Sequence, residues 1–321
     1  MSQSPKIIVV AGASGKLGGL LCEAILERAK RDGEPVIVRA LVRKGRDNDR
    51  STPNLTFEPV DYESDADLLR VCAGAYSVIS TLQGVENVII GVQSRLLKAA
   101  IAAKVRRFVP SDFSYDFTKL PVGSQRNFDL RRRFHEVAAT IIATERSAIE
   151  FTSVFQGVFA ELLGSGWMLF DYNKRQVSYF GSPDNVMEFT TWKNTAEFTA
   201  AVALDPSPTP KYLHIAGRRL TPKEVARIGS EVTGVEFKLK RQMSVRMLGW
   251  MISIVKLVKP GKKDDPMPLW VGMQYAYAGA LGLASPKSLD NDRYDGIEWT
   301  GVEGVIKAAF QDAQNSKRPV A

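Results

Sequence analysis

Gly12, Gly15 and Gly18 stand at G-x-x-G-x-x-G spacing in "GASGKLG", directly after the apolar run "KIIVV" (6–10). A helical pattern follows at once, with Leu17, Leu20, Leu21, Ala24, Ile25 and Leu26 recurring on one face. In that setting one glycine makes the tight turn, one lets the backbone approach a pyrophosphate, and one lets helix and strand pack, while the helix N-terminus faces the anion. The residues expected against a dinucleotide are therefore Gly12, Ser14, Gly15, Lys16, Leu17 and Gly18. The competing reading is a tight structural turn with no ligand. A phosphate loop of the nucleotide-hydrolase type does not fit, because Lys16 is followed by leucine and Val10 stands where that loop needs its first glycine.

The second apolar run ends in "LVRKGR", which presents Arg43, Lys44 and Arg46 with no acid before Asp47. A carboxylate there would accept from a ribose 2′-hydroxyl and repel a 2′-phosphate, whereas a guanidinium pairs with the phosphate. Arg43 and Lys44 thus point to NADP(H), the alternative being solvated surface charge. Asp61, closing the third run, suits either the adenine edge or a cap on the following helix. Thr81 and Gln83 end the fourth run and Ser111 and Phe113 leave the fifth, all where a cofactor would pass.

"PSDFSYDFTKLP" (110–121) contains Tyr115 and Lys119 at Y-x-x-x-K spacing, a pair that works in reductases when both residues share a helix face. Here the spacing falls in a loop, with Pro121 and Gly123 just behind it, so the match reads as chance. The helix that follows has no lysine between Lys119 and Lys174 and no tyrosine between Tyr115 and Tyr172. Hydride transfer to a carbonyl needs a proton donor near the acceptor atom. His135 is the side chain on this helix that titrates near neutrality when unperturbed, and Arg131 lies one turn before it. We therefore expect Arg131, or Arg132, to supply electrostatics and His135 the proton. The plainer reading is a histidine packed in the core. For the substrate, Tyr115, Phe155, Gln156, Phe159 and Trp167 are the candidates, with Phe170 and Phe180 behind them; aromatics at such spacing are also ordinary core.

The elements that must position these groups alternate. Strands are expected at 6–10, 36–42, 55–61, 76–82, 106–112 and 148–157, with helices at 64–73, 88–104 and 126–146 between the later ones. This is the rhythm of an α/β fold, a Rossmann doubly wound parallel sheet. Residues 1–157 form the expected dinucleotide-binding domain, with a returning segment near 186–217 packed on it. Residues 158–321 are mostly a smaller C-terminal substrate-binding domain. Within it, Thr221, Pro222 and Glu224 spell a capped helix start and Gly234 its stop.

With 45% hydrophobic and 24% charged residues among 321, disorder and fibrous classes are excluded. Two cysteines and two histidines without ligand spacing predict neither a metal site nor a disulfide. The net charge of +8 is scattered without a nucleic-acid-binding motif, so no nucleic acid partner is expected. The first residues lack a charged leader and long apolar stretch, which predicts a cytoplasmic protein. The nearly uncharged stretch 266–284 contains two early prolines and three glycines, and we expect a cap over a pocket there and no membrane span. The segment 244–260 is amphipathic with basic ends, suited to a cap helix and less well to a membrane surface.

"VVAGASGKLGG", the basic "LVRKG", "RFVPSDFS" and the closing "NDRYDGIEWTGVEGVI" together resemble the NmrA-like, isoflavone-reductase-like branch of the atypical short-chain dehydrogenases. The resemblance runs over nearly the whole chain. It implies a Rossmann domain binding NADP(H), a small substrate-binding domain, and either reduction of small, often aromatic compounds or sensing of nucleotide redox state. Reductases of this branch carry a lysine on the helix after strand five; in this chain its place falls at Arg131, Arg133 or Val137, none of them lysine. The function expected is an NADPH-dependent reductase of a small apolar carbonyl or enone compound. The alternative is a non-catalytic NADP(H) sensor acting through a protein partner.

Overall fold

The structure, a computed structural model, describes residues 4–45, 51–164 and 170–315. Strand β1 (Lys6–Ala11) is followed by α1 (Lys16–Asp32), β2 (Val36–Arg43), β3 (Leu55–Val60), α2 (Asp65–Cys72), β4 (Ala75–Ser80), α3 (Gln93–Ala102), β5 (Arg107–Val109), α4 (Arg126–Thr144) and β6 (Glu150–Phe151). Six strands form one sheet in the order β3-β2-β1-β4-β5-β6, every pairing parallel. Ile8, Val9, Val10 and Ala11 are fully enclosed, as a strand between two neighbours and two helical layers requires. The order reverses between β1 and β4, and it is at such a switch point that open α/β sheets form their ligand crevice.

The sixth strand is shorter than the run 148–157 suggests. Thr152 N still donates to Phe108 O, but Ser153 N turns to Lys211 O, so β7 (Ser153–Phe155) leaves the sheet. Arg107 anchors this departure with a fully buried side chain. Its guanidinium is bonded to Glu150, to Thr209 and to the carbonyls of Val202, Asp205 and Ser207, so every donor direction is used.

Beyond it come β8 (Val158–Phe159), β9 (Phe170–Asp171), β10 (Gln176–Phe180), β11 (Met187–Thr190), α5 (Trp192–Leu204), β12 (Tyr212–His214) and β13 (Arg218–Leu220). Then follow α6 (Pro222–Thr233), β14 (Lys238–Met243), α7 (Val245–Val258), α8 (Leu269–Leu281) and α9 (Glu303–Asn315). The nearly all-buried α5 packs on α1, and β12 pairs with β7. A second core gathers Phe170, Val177, Phe189, Val225 and Ile306. The punctuation of α6 is as its sequence predicts: Thr221 Oγ1 accepts from Glu224 N, Glu224 accepts in return from Thr221 N, and Gly234 closes the helix at φ 70°.

The closing "NDRYDG" motif braces the first core. Tyr294 Oη donates to Asp205 Oδ2 at 2.7 Å and its ring meets Phe198 edge-on, with burial pushing its phenol up to about 12. The stretch 266–284 holds α8, which begins after Pro268 and ends at Gly282. Among the described residues no helix is long and apolar enough to cross a membrane.

Candidate functional site

A cavity of about 640 Å³ opens at the carboxyl ends of β1 and β4, at the switch point. Its floor is the glycine loop. Gly12 sits at φ +84°, and a Cβ there would meet Thr81 Oγ1 at 2.8 Å. A Cβ on Gly18 would come within 2.4 Å of Gly12 O, so the first turn of α1 can lie on the loop only without a side chain at that position. Thr81 Oγ1 donates to Ala11 O at 2.9 Å and fixes the end of β4 beside that turn. Gly12, Ser14, Gly15, Lys16, Leu17, Gly18, Thr81, Gln83, Ser111 and Phe113 all line the cavity, as does Arg43.

Two expected neighbours of a dinucleotide lie elsewhere. Lys44, in the turn after β2, is not in the lining and pairs with Asp67 Oδ2 at 2.8 Å. Asp61 is not in the lining; its Oδ1 accepts from Glu63 N at 3.0 Å and its own N donates to Asp67 Oδ2 at 3.1 Å. The carboxylate thus holds the turn into α2, and Tyr62 takes the place at the wall, its phenol pushed up to about 12 by burial. Arg43 is exposed and has no ion-pair partner among the described residues, which leaves one free guanidinium at this lip. Arg46 and Asp47 lie outside the described residues.

At the other end α4 passes from the cavity rim into the core, and this separates the two expected catalytic residues. Arg131 lines the cavity, its Nε donating to Ser111 O at 2.9 Å and its Nη1 to Asn127 O at 3.0 Å. His135, one turn on, is not in the lining. Its Nε2 lies 2.5 Å from Asp112 Oδ2, which also accepts from Ser153 Oγ at 2.8 Å, and its ring stacks on Tyr212. The expectation of His135 as proton donor is corrected: the side chain is engaged behind the wall with a buried carboxylate.

The aromatic candidates divide as well. Gln156 and Phe159 line the cavity, whereas Phe155 is buried against Phe117 and Tyr212 and Phe170 belongs to the second core. Phe180 faces a separate small cleft, and Trp167 lies outside the described residues. Gln156 is 1% exposed and its buried Oε1 has no hydrogen-bond partner among the described residues. The Tyr115 ring lines the cavity, but its hydroxyl is sealed against Gly279, where a Cβ would approach within 2.9 Å, and desolvation raises its pKa further above the phenol range. Lys119 turns outward to Asp116 at 3.3 Å, so Tyr115 and Lys119 do not act on a common point.

Wall residues not singled out from the sequence include Tyr62, Asn127 and Trp192, and also Met267 and Tyr275 from the stretch expected to cap a pocket. Trp192 opens α5 behind its cap Thr191, with Lys16 Nζ 5.8 Å from its ring and Glu161 accepting from its backbone N–H at 3.0 Å. Burial raises the Glu161 pKa. Tyr275 reaches the site from α8, where its hydroxyl accepts from Asn127 Nδ2 at 3.4 Å. A Thr-Trp helix start is a weak signal; nothing local marks Tyr275 or Met267.

Comparison with known proteins bears on this geometry. A curated NmrA-like family domain-containing oxidoreductase of Gibberella moniliformis is 26% identical over 316 residues, covering 94% of this chain and 97% of its own length. Oxidoreductase aprR of Aspergillus flavus is 24% identical over 237 residues, 72% of this chain and 75% of its own. Among solved structures, AtPrR2 with NADP+ and (+)pinoresinol superposes with a TM-score of 0.74 at 18% identity, covering 96% of this chain and all of that one. An isoflavone reductase does so with a TM-score of 0.73 at 17% identity, over 95% and 99% of the two chains. Leucoanthocyanidin reductase of Vitis vinifera in its binary complex with NADPH gives 0.71 at 16% identity, over the same shares. These structural likenesses carry the Rossmann-type fold of the sheet. The model of the NmrA-like family matches residues 4–249, and the chain belongs to that family.

Proposed function

We propose that the protein is an NADP(H)-dependent reductase of a small apolar carbonyl or enone compound. The single observation that carries the reading is one continuous cavity with a side-chain-free phosphate cradle and a free Arg43 at one end, and Arg131 among aromatic side chains at the other. The curated relatives are named oxidoreductases, and the structural neighbours include proteins solved with NADP+ or NADPH.

At the cofactor end, backbone N–H groups of the loop and the start of α1 would hold the pyrophosphate. The Arg43 guanidinium would pair with the 2′-phosphate as a charge-assisted hydrogen bond. When bound, the reduced nicotinamide supplies a hydride. Arg131, kept in place by Ser111 O and Asn127 O, sets positive charge where the carbonyl oxygen gains its electron pair. A guanidinium releases its proton too reluctantly to finish the reaction. Tyr275 is suited to that step: with Asn127 donating to its oxygen, its own O–H is free to donate to the substrate oxygen. Phe113, Phe159, Trp192 and Met267 supply the apolar walls that exclude water.

The test pairs binding with turnover. NADPH and NADH titrations should show preference for NADPH that Arg43→Ala abolishes, and a panel of aromatic carbonyls and enones should contain an acceptor that oxidises NADPH. A second reading, a sensor of NADP(H) redox state, draws on the absence of any lysine from α4. It predicts unequal affinity for NADP+ and NADPH with no oxidation by any acceptor.

A further inference from the structure

Helix α7 is apolar on two faces, and only one is covered. Leu248 and Ile252 are buried on the side of α8, where Gly249 lets the Tyr277 ring approach. On the other side Met247, Trp250, Met251, Ile254, Leu257 and Val258 share a stripe at i, i+3, i+4, i+7, i+10 and i+11. All six are exposed, Trp250 to 71% and Leu257 to 83%. Leu269, at the start of α8, is a further exposed apolar side chain beyond the loop that follows α7. An exposed apolar stripe this continuous marks an interaction surface.

Charge identifies what covers it. Between Phe237 and Lys263 the chain carries eight Lys or Arg residues and no acid. Arg246 lies near one end of the helix, with Lys256, Lys259, Lys262 and Lys263 at and beyond the other, and none has an ion-pair partner among the described residues. A second copy docked face to face would set this cationic rim against itself, at a cost in repulsion. An anionic bilayer meets both features at once: the stripe enters the acyl boundary, Trp250 sits at headgroup depth, and the lysines pair with lipid phosphate and carboxylate. We infer that α7 and the basic loop after it dock the protein on an anionic membrane surface, with the helix lying in the plane of the interface.

The docking claim stands whether or not the cavity turns over a substrate. A consequence does rest on the reductase reading: Met267 follows the basic loop and also lines the cavity, so an apolar acceptor dissolved in the bilayer would meet the site beside the docking helix.

The test is cosedimentation of the full chain with vesicles, and it needs neither cofactor nor acceptor. Vesicles of phosphatidylcholine with about one third phosphatidylserine should retain the protein at low salt, and phosphatidylcholine alone about tenfold less. Trp250→Ser with Leu257→Ser should abolish retention, and Lys259→Glu with Lys263→Glu should weaken it without touching the stripe. Both double variants alter exposed side chains and should unfold at the same temperature as the parent. No retention by anionic vesicles, or retention unchanged in both variants, overturns the inference. So does a concentration-dependent dimer that Trp250→Ser with Leu257→Ser dissolves, which would assign the stripe to a second copy. Retention by an acidic protein but not by vesicles would likewise overturn it.

Discussion

The two ends of the cavity are built in opposite ways. The end proposed for the cofactor comes largely from one stretch, Gly12 to Gly18, whose backbone would do the binding, joined by residues at the ends of β2 and β4. The proposed acceptor end gathers Ser114, Tyr115, Asn127, Arg131, Gln156, Phe159, Trp192, Met267 and Tyr275 from separate elements, and there side chains would do the work. A backbone site tolerates few substitutions at its glycines and many around them. A side-chain site can exchange its chemistry one residue at a time.

Substitutions can break this contrast, and the acceptor end should show the largest effects. Arg131→Met should lower kcat by about 10²-fold or more with NADPH affinity little changed, read by steady-state kinetics against a nucleotide titration. Tyr275→Phe should lower kcat by about 10²-fold and flatten its pH profile, since the variant keeps the ring and loses the O–H. At the cofactor end, Arg43→Ala should raise the Kd for NADPH by about 10- to 100-fold, the range of a charge-assisted hydrogen bond, and leave that for NADH unchanged. His135→Gln should leave kcat in place while stability falls by about 1–3 kcal/mol in denaturant titration, because buried Asp112 loses a partner.

A smaller, pH-dependent effect belongs to the loop between the two ends. Burial raises the Asp116 pKa, but bonds from His214 at 2.9 Å and from Thr118 outweigh it and hold the carboxyl below its ordinary value. A carboxyl depressed on folding contributes stability above its unfolded pKa, and that contribution disappears as pH falls through the folded value. Asp116→Asn should therefore lower thermal stability at neutral pH and flatten its acid-side loss, the variant and the parent converging at low pH.

How far the sequence could be read follows the same division. The parallel sheet and the glycine loop were legible because periodicity and glycine spacing are local signals, and Gly12, Gly18 and Arg43 line the cavity. Lys44 and Asp61 misled because both carry the right charge at a strand end while their side chains turn to Asp67 and to the turn into α2. His135 misled for a different reason: residues four apart share a helix face, but α4 leaves the cavity within one turn, and a polar group of the core, Asp112, claims the imidazole. Tyr275 had no local signal, since its place depends on how α8 folds back over α4. The sixth strand was overextended because its residues keep a strand-like pattern after they change partners at Ser153.

The most direct test is transfer of label. NADPH carrying deuterium at the nicotinamide C4 position would be incubated with the protein and an aromatic enone or carbonyl panel, and the products weighed by mass spectrometry. The reductase account predicts one deuterium in the reduced product with labelled NADPH, little with labelled NADH, and its loss in Arg131→Met. Tight NADPH binding with no label in any acceptor would contradict it and leave the cavity as the reading head of a sensor.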